Sequence, residues 1–119
     1  MPIGAKSLRK RMGVKESTFI RSTSHKQFIR LQRCILWGKQ GHECKGPVQC
    51  CHYRMHGGAG VGMKPCDSRT WPGCFAAHNE QHAIGEPEFA RKYGLDLEAL
   101  CRSYARRSTD PRVRETANG

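Results

Sequence analysis

The sequence predicts a small α+β domain held together by bound metal rather than by a large apolar core. Three observations carry that expectation. Only 37% of the 119 residues are hydrophobic, and 13 Gly and 6 Pro dilute them further. So thin a core in so short a chain usually needs a staple. Six of the seven Cys and five of the six His fall between residues 34 and 85. That same stretch reads as a short strand, a glycine-rich loop, a second short strand and a helix.

Metal is preferred to disulfides for that staple. The basic start MPIGAKSLRKRMGVK is followed by no apolar stretch, so it does not read as a secretory signal. Without export, disulfides are a poor explanation for clustered cysteines, and an odd number leaves one thiol over. No apolar run approaches the roughly 20 residues that a membrane span needs. The charge points elsewhere: 21 Lys+Arg against 10 Asp+Glu leave a net +11, which favours a polyanionic partner, nucleic acid above all.

The elements follow in order. Residues 1–22 form a basic arm, expected to be flexible, with Lys10 and Arg11 among its cations. Residues 24–33 read as a short helix, with Ser24 as cap and Gln27 three residues on. Its apolar side is Phe28, Ile29 and Leu31, and Arg30 lies on its basic side. Gln49 to Arg54 reads as a strand. HGGAGVGMKP, which contains Lys64, is a loop, and Thr70-Trp71-Pro72 is a second strand. From Phe75 a helix runs to Gly85. A further helix begins with Pro87 and stops at Gly94, and Asp96 caps LEALCRSYARR. From Ser108 the chain reads as a polar tail.

Three groups of residues carry chemistry. His78 and His82 are spaced i, i+4, so a helix presents both imidazoles to one point, as a divalent ion requires. Cys34 and Cys44 flank the loop ILWGKQGHE, and Cys74 lies beyond the glycine loop. Three such thiols suit a structural zinc site, which wants four ligands. Cys50, His42 and Cys51 are candidates for the fourth. His52, at the end of the first strand, suits a general base, because an unperturbed imidazole titrates near pH 6.5. It equally suits a third ligand or a half-buried structural His. Arg54, two residues on in an extended strand, faces the same way and can clamp a phosphate.

The strings CHYR, GMKPCD and HNEQHAIGE, in that order and spacing, resemble the small phage and prophage HNH endonucleases of the ββα-metal class. The resemblance spans about residues 25–108. It implies a β-hairpin and helix wrapped round one catalytic divalent ion (Mg, Mn, Ni or Zn), with a structural zinc beside it. It implies His52 as the base that activates water, His78 and His82 as ligands of the catalytic ion, and Cys34, Cys44 and Cys74 as zinc ligands. Asp67, in KPCD, matches a polar position before the second strand that holds the loop or orients the base.

Three departures stand out. The middle Asn of the family name is missing, so Asp67, Ser68 or Arg69 takes its task. Ala77 stands where many relatives carry a zinc ligand, and Cys50 is a substitute. Cys51 occupies a position that is an acid or His in some relatives, where it ligates the catalytic ion or does nothing.

These features lead to an expected organisation of a basic arm (1–22), a nuclease domain with C-terminal helices (23–108) and a polar tail (109–119). They also lead to an expected activity, metal-dependent hydrolysis of DNA, inside the bacterial cytoplasm. The partner is double-stranded DNA read with little sequence specificity. Lys10, Arg11, Arg30 and Lys64 contact phosphate, and a homodimer remains open. The competing expectation is an inactive zinc-bound DNA-binding protein accessory to phage recombination or packaging. A redox protein fits less well, because there is no CxxC.

Overall fold

The computed structural model describes residues 20–54 and 66–118. Lys10, Arg11 and Lys64, the basic arm up to residue 19 and the glycine loop lie outside them. The architecture is α+β. Its order is α1 (Thr23–Arg30), β1 (Val48–His52), β2 (Thr70–Cys74), α2 (Phe75–Ile84), α3 (Glu86–Tyr93), α4 (Leu97–Arg106) and α5 (Pro111–Asn118).

The strands form one antiparallel pair, from Val48 opposite Cys74 to His52 opposite Thr70. Pro72 sits in the middle of β2, where a proline normally breaks a ladder. Here its carbonyl accepts from Ile35 N–H at 3.1 Å on the edge away from β1. Its ring nitrogen faces the same way, so no ladder bond is lost. All five β2 residues are buried. Helix α1 packs on the hairpin and α4 packs on β2.

The core gathers Leu36, Cys51, Trp71, Cys74, Ala77, Phe89, Tyr93, Leu97 and Cys101. Trp71 stacks on Phe89 with ring centres 5.5 Å apart, and Phe89 meets Tyr93 edge-on. Aromatic rings bury a large area each, which matters in so small a core.

Local signals set most helix ends. Gly85 ends α2, and Gly94 ends α3 in the left-handed region at φ 64°. The Asp96 carboxylate accepts from Ala99 N–H at 3.0 Å and opens α4. Two ends differ from expectation. Helix α1 is capped by Ser22, whose hydroxyl oxygen accepts from His25 N–H at 3.0 Å, and Ser24 lies inside the first turn. Ser22 O–H also donates to Asp110 at 2.5 Å, a partner 88 residues away. The expected polar tail contains α5, which seats Val113 and Ala117 against Ile20, Cys66 and Ala105 in a second small core.

His25 ties these layers together. It is fully buried, with Nδ1 2.7 Å from Ser108 Oγ and Nε2 3.1 Å from Thr70 Oγ1. The Thr70 hydroxyl donates to the Asp67 carbonyl at 3.0 Å, so it accepts from His25 Nε2–H. His25 is therefore the neutral Nε2–H tautomer, and burial holds its pKa below the ordinary value.

Candidate functional site

Four side chains from three parts of the chain converge beside the hairpin. Cys34 follows α1, His42 and Cys44 lie on the loop before β1, and Cys74 ends β2. Their ligating atoms all lie within 4.8 Å of one another. A tetrahedral zinc with bonds of about 2.3 Å to sulfur places ligand atoms about 3.8 Å apart, so the set fits such an ion. Cys74 Sγ lies 3.5 Å from His42 Nε2.

The acidities support the fit. Burial opposes charge on Cys74, but the amides of Ala77 and Lys45, with the His42 ring, outweigh it and bring the thiol down to about 7. Cys74 also caps α2, where the helix end favours a thiolate. Burial, followed by the Cys34 and Cys74 thiols, pushes Cys44 up to about 12. One thiolate thus forms readily and holds back the next. A bound divalent cation removes that repulsion.

His42 is therefore the fourth member of the cluster, and Cys50 and Cys51 are not. Strand alternation separates those two. Cys51 is fully buried in the core against Trp71 and Gly73. Burial raises its thiol far above the ordinary range. Cys50 is half-buried among Thr70, Asp67, Arg30 and Lys26, and burial above all pushes it up to about 11.

A second set lies at the far end of β1. His52 Nε2 is 2.8 Å from Asp67 Oδ1. The other carboxylate oxygen accepts from Ser22 N–H at 2.8 Å, and Lys26 Nζ stands 4.0 Å away. The Asp67 N–H donates to the Ile20 carbonyl at 2.9 Å. The segment before α1 thus holds Asp67 by both its backbone and its side chain.

Burial works against the Asp67 charge, but the His52 and Ser22 hydrogen bonds outweigh it and keep the carboxyl below its usual range. A carboxylate only accepts, so His52 Nε2 carries the proton. In the neutral ring the free lone pair is then on Nδ1. Of the three residues weighed for the missing Asn, Asp67 is the one hydrogen-bonded to His52. Ser68 instead meets Cys66, at 3.0 Å.

On α2, His78 Nε2 and His82 Nε2 lie 3.1 Å apart. His78 Nδ1 is 2.7 Å from Gln49 Oε1. An amide oxygen accepts, so His78 is protonated at Nδ1 and offers its Nε2 lone pair outward, as in metal-binding histidines with a supporting partner. Two ligands about 2.1 Å from one ion lie about 3.0 Å apart at a right angle and about 3.4 Å apart in a tetrahedron. The observed spacing falls between. Burial, then the neighbouring His82 and His52 rings, lower the His78 pKa, which favours the neutral ligating form.

Arg54 lies two residues beyond the end of β1. β1 ends at His52, so strand alternation does not extend to Arg54. Its backbone N–H donates to Glu86 at 2.7 Å, and its side chain is exposed. Arg30 is exposed on the last turn of α1.

Gln49 and Ser22 take no functional role in the sequence reading, whereas Lys26 belongs to the basic side of the first helix. Gln49 carried a usable signal, being an amide on the strand that packs beside the His78/His82 helix. Among the described residues no helix is long and apolar enough to cross a membrane. No protein-family model matches the chain, and no curated protein or solved structure matches it.

Proposed function

We propose that this protein is a metal-dependent DNA endonuclease of the HNH type. The observation that carries the reading is the His52–Asp67 pair at the end of β1, followed along the chain by the His78/His82 pair on α2. Hairpin, base and ligand helix come in the order that the resemblance implies.

The residues divide the work as follows. Asp67, pinned by Ser22, fixes the His52 tautomer and orients the ring. His52 Nδ1 accepts the proton of an attacking water. The resulting imidazolium is stabilised by the adjacent carboxylate. His78 and His82 would hold a divalent ion, which when bound supplies Lewis-acid stabilisation of charge on the phosphate. Lys26 and Arg30, beside this site, offer phosphate contacts that carry no sequence information. The net +11 supports DNA as the substrate, bound with strong salt dependence. The Cys34–His42–Cys44–Cys74 cluster would hold a zinc that is structural, since four protein ligands close it.

A second reading, an inactive DNA-binding module, is favoured by one observation. The cysteine cluster is the only set of three or more ligands among the described residues, so the His78/His82 site has two. Incubation with supercoiled plasmid, with and without Mg²⁺ or Mn²⁺, separates the two. Metal-dependent nicking that disappears in His52→Ala is the expected result. A gel shift without cutting under any divalent ion would hand the case to the binding module.

A further inference from the structure

Trp37 has no part in the core or in the sites described above. It is 61% exposed, and Leu31 beside it is 84% exposed, whereas Trp71 is wholly buried. Trp37 sits on the loop between Cys34 and Cys44, and that loop is firmly built. Trp37 N–H donates to the Cys34 carbonyl at 2.9 Å, and Lys39 N–H donates to the Leu36 carbonyl at 2.9 Å. Leu36 is wholly buried, and its N–H meets Cys34 Sγ at 3.4 Å. An exposed indole is thus displayed on a turn anchored by a ligand of the metal cluster and by a core leucine.

The surroundings suit a flat group with a negatively charged tether. The Arg33 guanidinium stands 5.3 Å from the Trp37 ring centre, over the face of the indole. A groove opens here, walled by Leu31, Arg33, Trp37, Gly46 and Val48 and floored by Cys34, Cys44 and Cys74 of the cysteine cluster, so Trp37 stands at the rim of the cluster. Arg33 lines this groove and is exposed, and Arg30, next in the chain to the lining residue Leu31, is exposed as well. The nearby acid Glu43 is paired with Lys45 at 3.9 Å.

We propose that this groove binds an unpaired nucleotide base, stacked on Trp37 with its phosphates among these cations, so that the protein favours DNA carrying a single-stranded stretch. The inference rests on the reading of the protein as a DNA-acting enzyme and names its substrate class. Bases inside a duplex are already stacked and paired, and only an unpaired base offers a free π-face to an indole.

The test uses the full-length, zinc-loaded protein with a labelled thymidine oligonucleotide and a duplex of equal length, in fluorescence anisotropy at one salt concentration. Trp37→Ala should weaken single-strand binding about tenfold and change duplex binding less than about twofold. Trp37→Phe should retain most of the affinity, and the single strand should quench the emission of Trp37. Zinc content and circular dichroism show that each variant is folded.

Equal losses on both DNAs, or no loss on either, overturn the proposal and leave the endonuclease reading standing. Self-association abolished by Trp37→Ala with single-strand binding unchanged makes the face a contact between copies, and also overturns it. No binding of wild type to either DNA overturns both readings together.

Discussion

On the endonuclease reading, replacing Asp67 by Asn separates stability from catalysis. The Asp67 side chain is 1% exposed, and its two oxygens accept from His52 Nε2 and Ser22 N–H, each at 2.8 Å. Asparagine has one acceptor and one donor end. The Ser22 amide can only donate, so the asparagine oxygen must face it. The asparagine N–H₂ then faces His52 Nε2, which must give up its proton. That proton moves to Nδ1, the nitrogen that should take a proton from water.

The shape is kept while the base is disabled. A forced tautomer of this kind costs about 10⁴ in rate in serine proteases, or about 5.4 kcal/mol at 1.36 kcal/mol per decade. The stability cost is smaller. A hydrogen bond to a charged group contributes about 1.5–3 kcal/mol, and relief of carboxylate burial offsets part of it, leaving about 1–2 kcal/mol. The partly exposed Lys26 pair at 4.0 Å adds little.

The pH dependence has a definite sign. Asp67 is held below its ordinary pKa in the fold, so its stabilisation is complete above about pH 3.9. It fades as pH falls through the lower folded value. Plasmid-nicking rates should fall by about 10³–10⁴ in Asp67→Asn. Urea midpoints should differ from wild type at pH 7, and the difference should narrow below pH 4. A folded Asp67→Asn protein that cuts within about tenfold of wild type would refute the tautomer argument.

Three further outcomes follow from the fold. After dialysis against a chelator, His42→Ala should lose zinc that wild type and Cys50→Ser retain; equal retention in both variants would remove His42 from the cluster. Gly46→Ala should cost about 2–4 kcal/mol in urea unfolding, from a strained backbone plus overpacking. The backbone there is at φ 79°, and the new Cβ would lie 2.5 Å from Phe75 Cβ. A cost under about 1 kcal/mol would deny that contact. Val113→Ala should cost about 2 kcal/mol, from the lost methyl groups and the cavity left in the second core. An unchanged melting temperature would mean that α5 is not docked.

What was legible in the sequence depended on how local each cause is. Gly85, Gly94 and Asp96 act within a turn of themselves, and the helix ends they mark appear where the sequence puts them. The i, i+4 spacing of His78 and His82 is a property of one helix, and the two rings do meet. The cap of α1 was ambiguous because Ser22 and Ser24 are both good capping residues. The choice is made by Asp110, far along the chain. Helix α5 was hidden because PRVRETAN offers only Val113 and Ala117 as an apolar pair, too few to show a period. His42 could be proposed but not chosen, since its partner Cys74 is 32 residues away. Arg54 was placed by extending a strand that ends two residues earlier.

Cys74 belongs to two structures at once. It is a member of the cysteine cluster, and it is also the residue on which α2 begins, four positions before His78. An ion that fixes Cys74 also fixes the first turn of the helix that presents both imidazoles. Filling either position should therefore tighten the other, and the coupling must be equal in both directions. On the endonuclease reading, a shortage of zinc at the cluster would also loosen the ion held by His78 and His82, so activity would fall with free metal more steeply than either site alone would give.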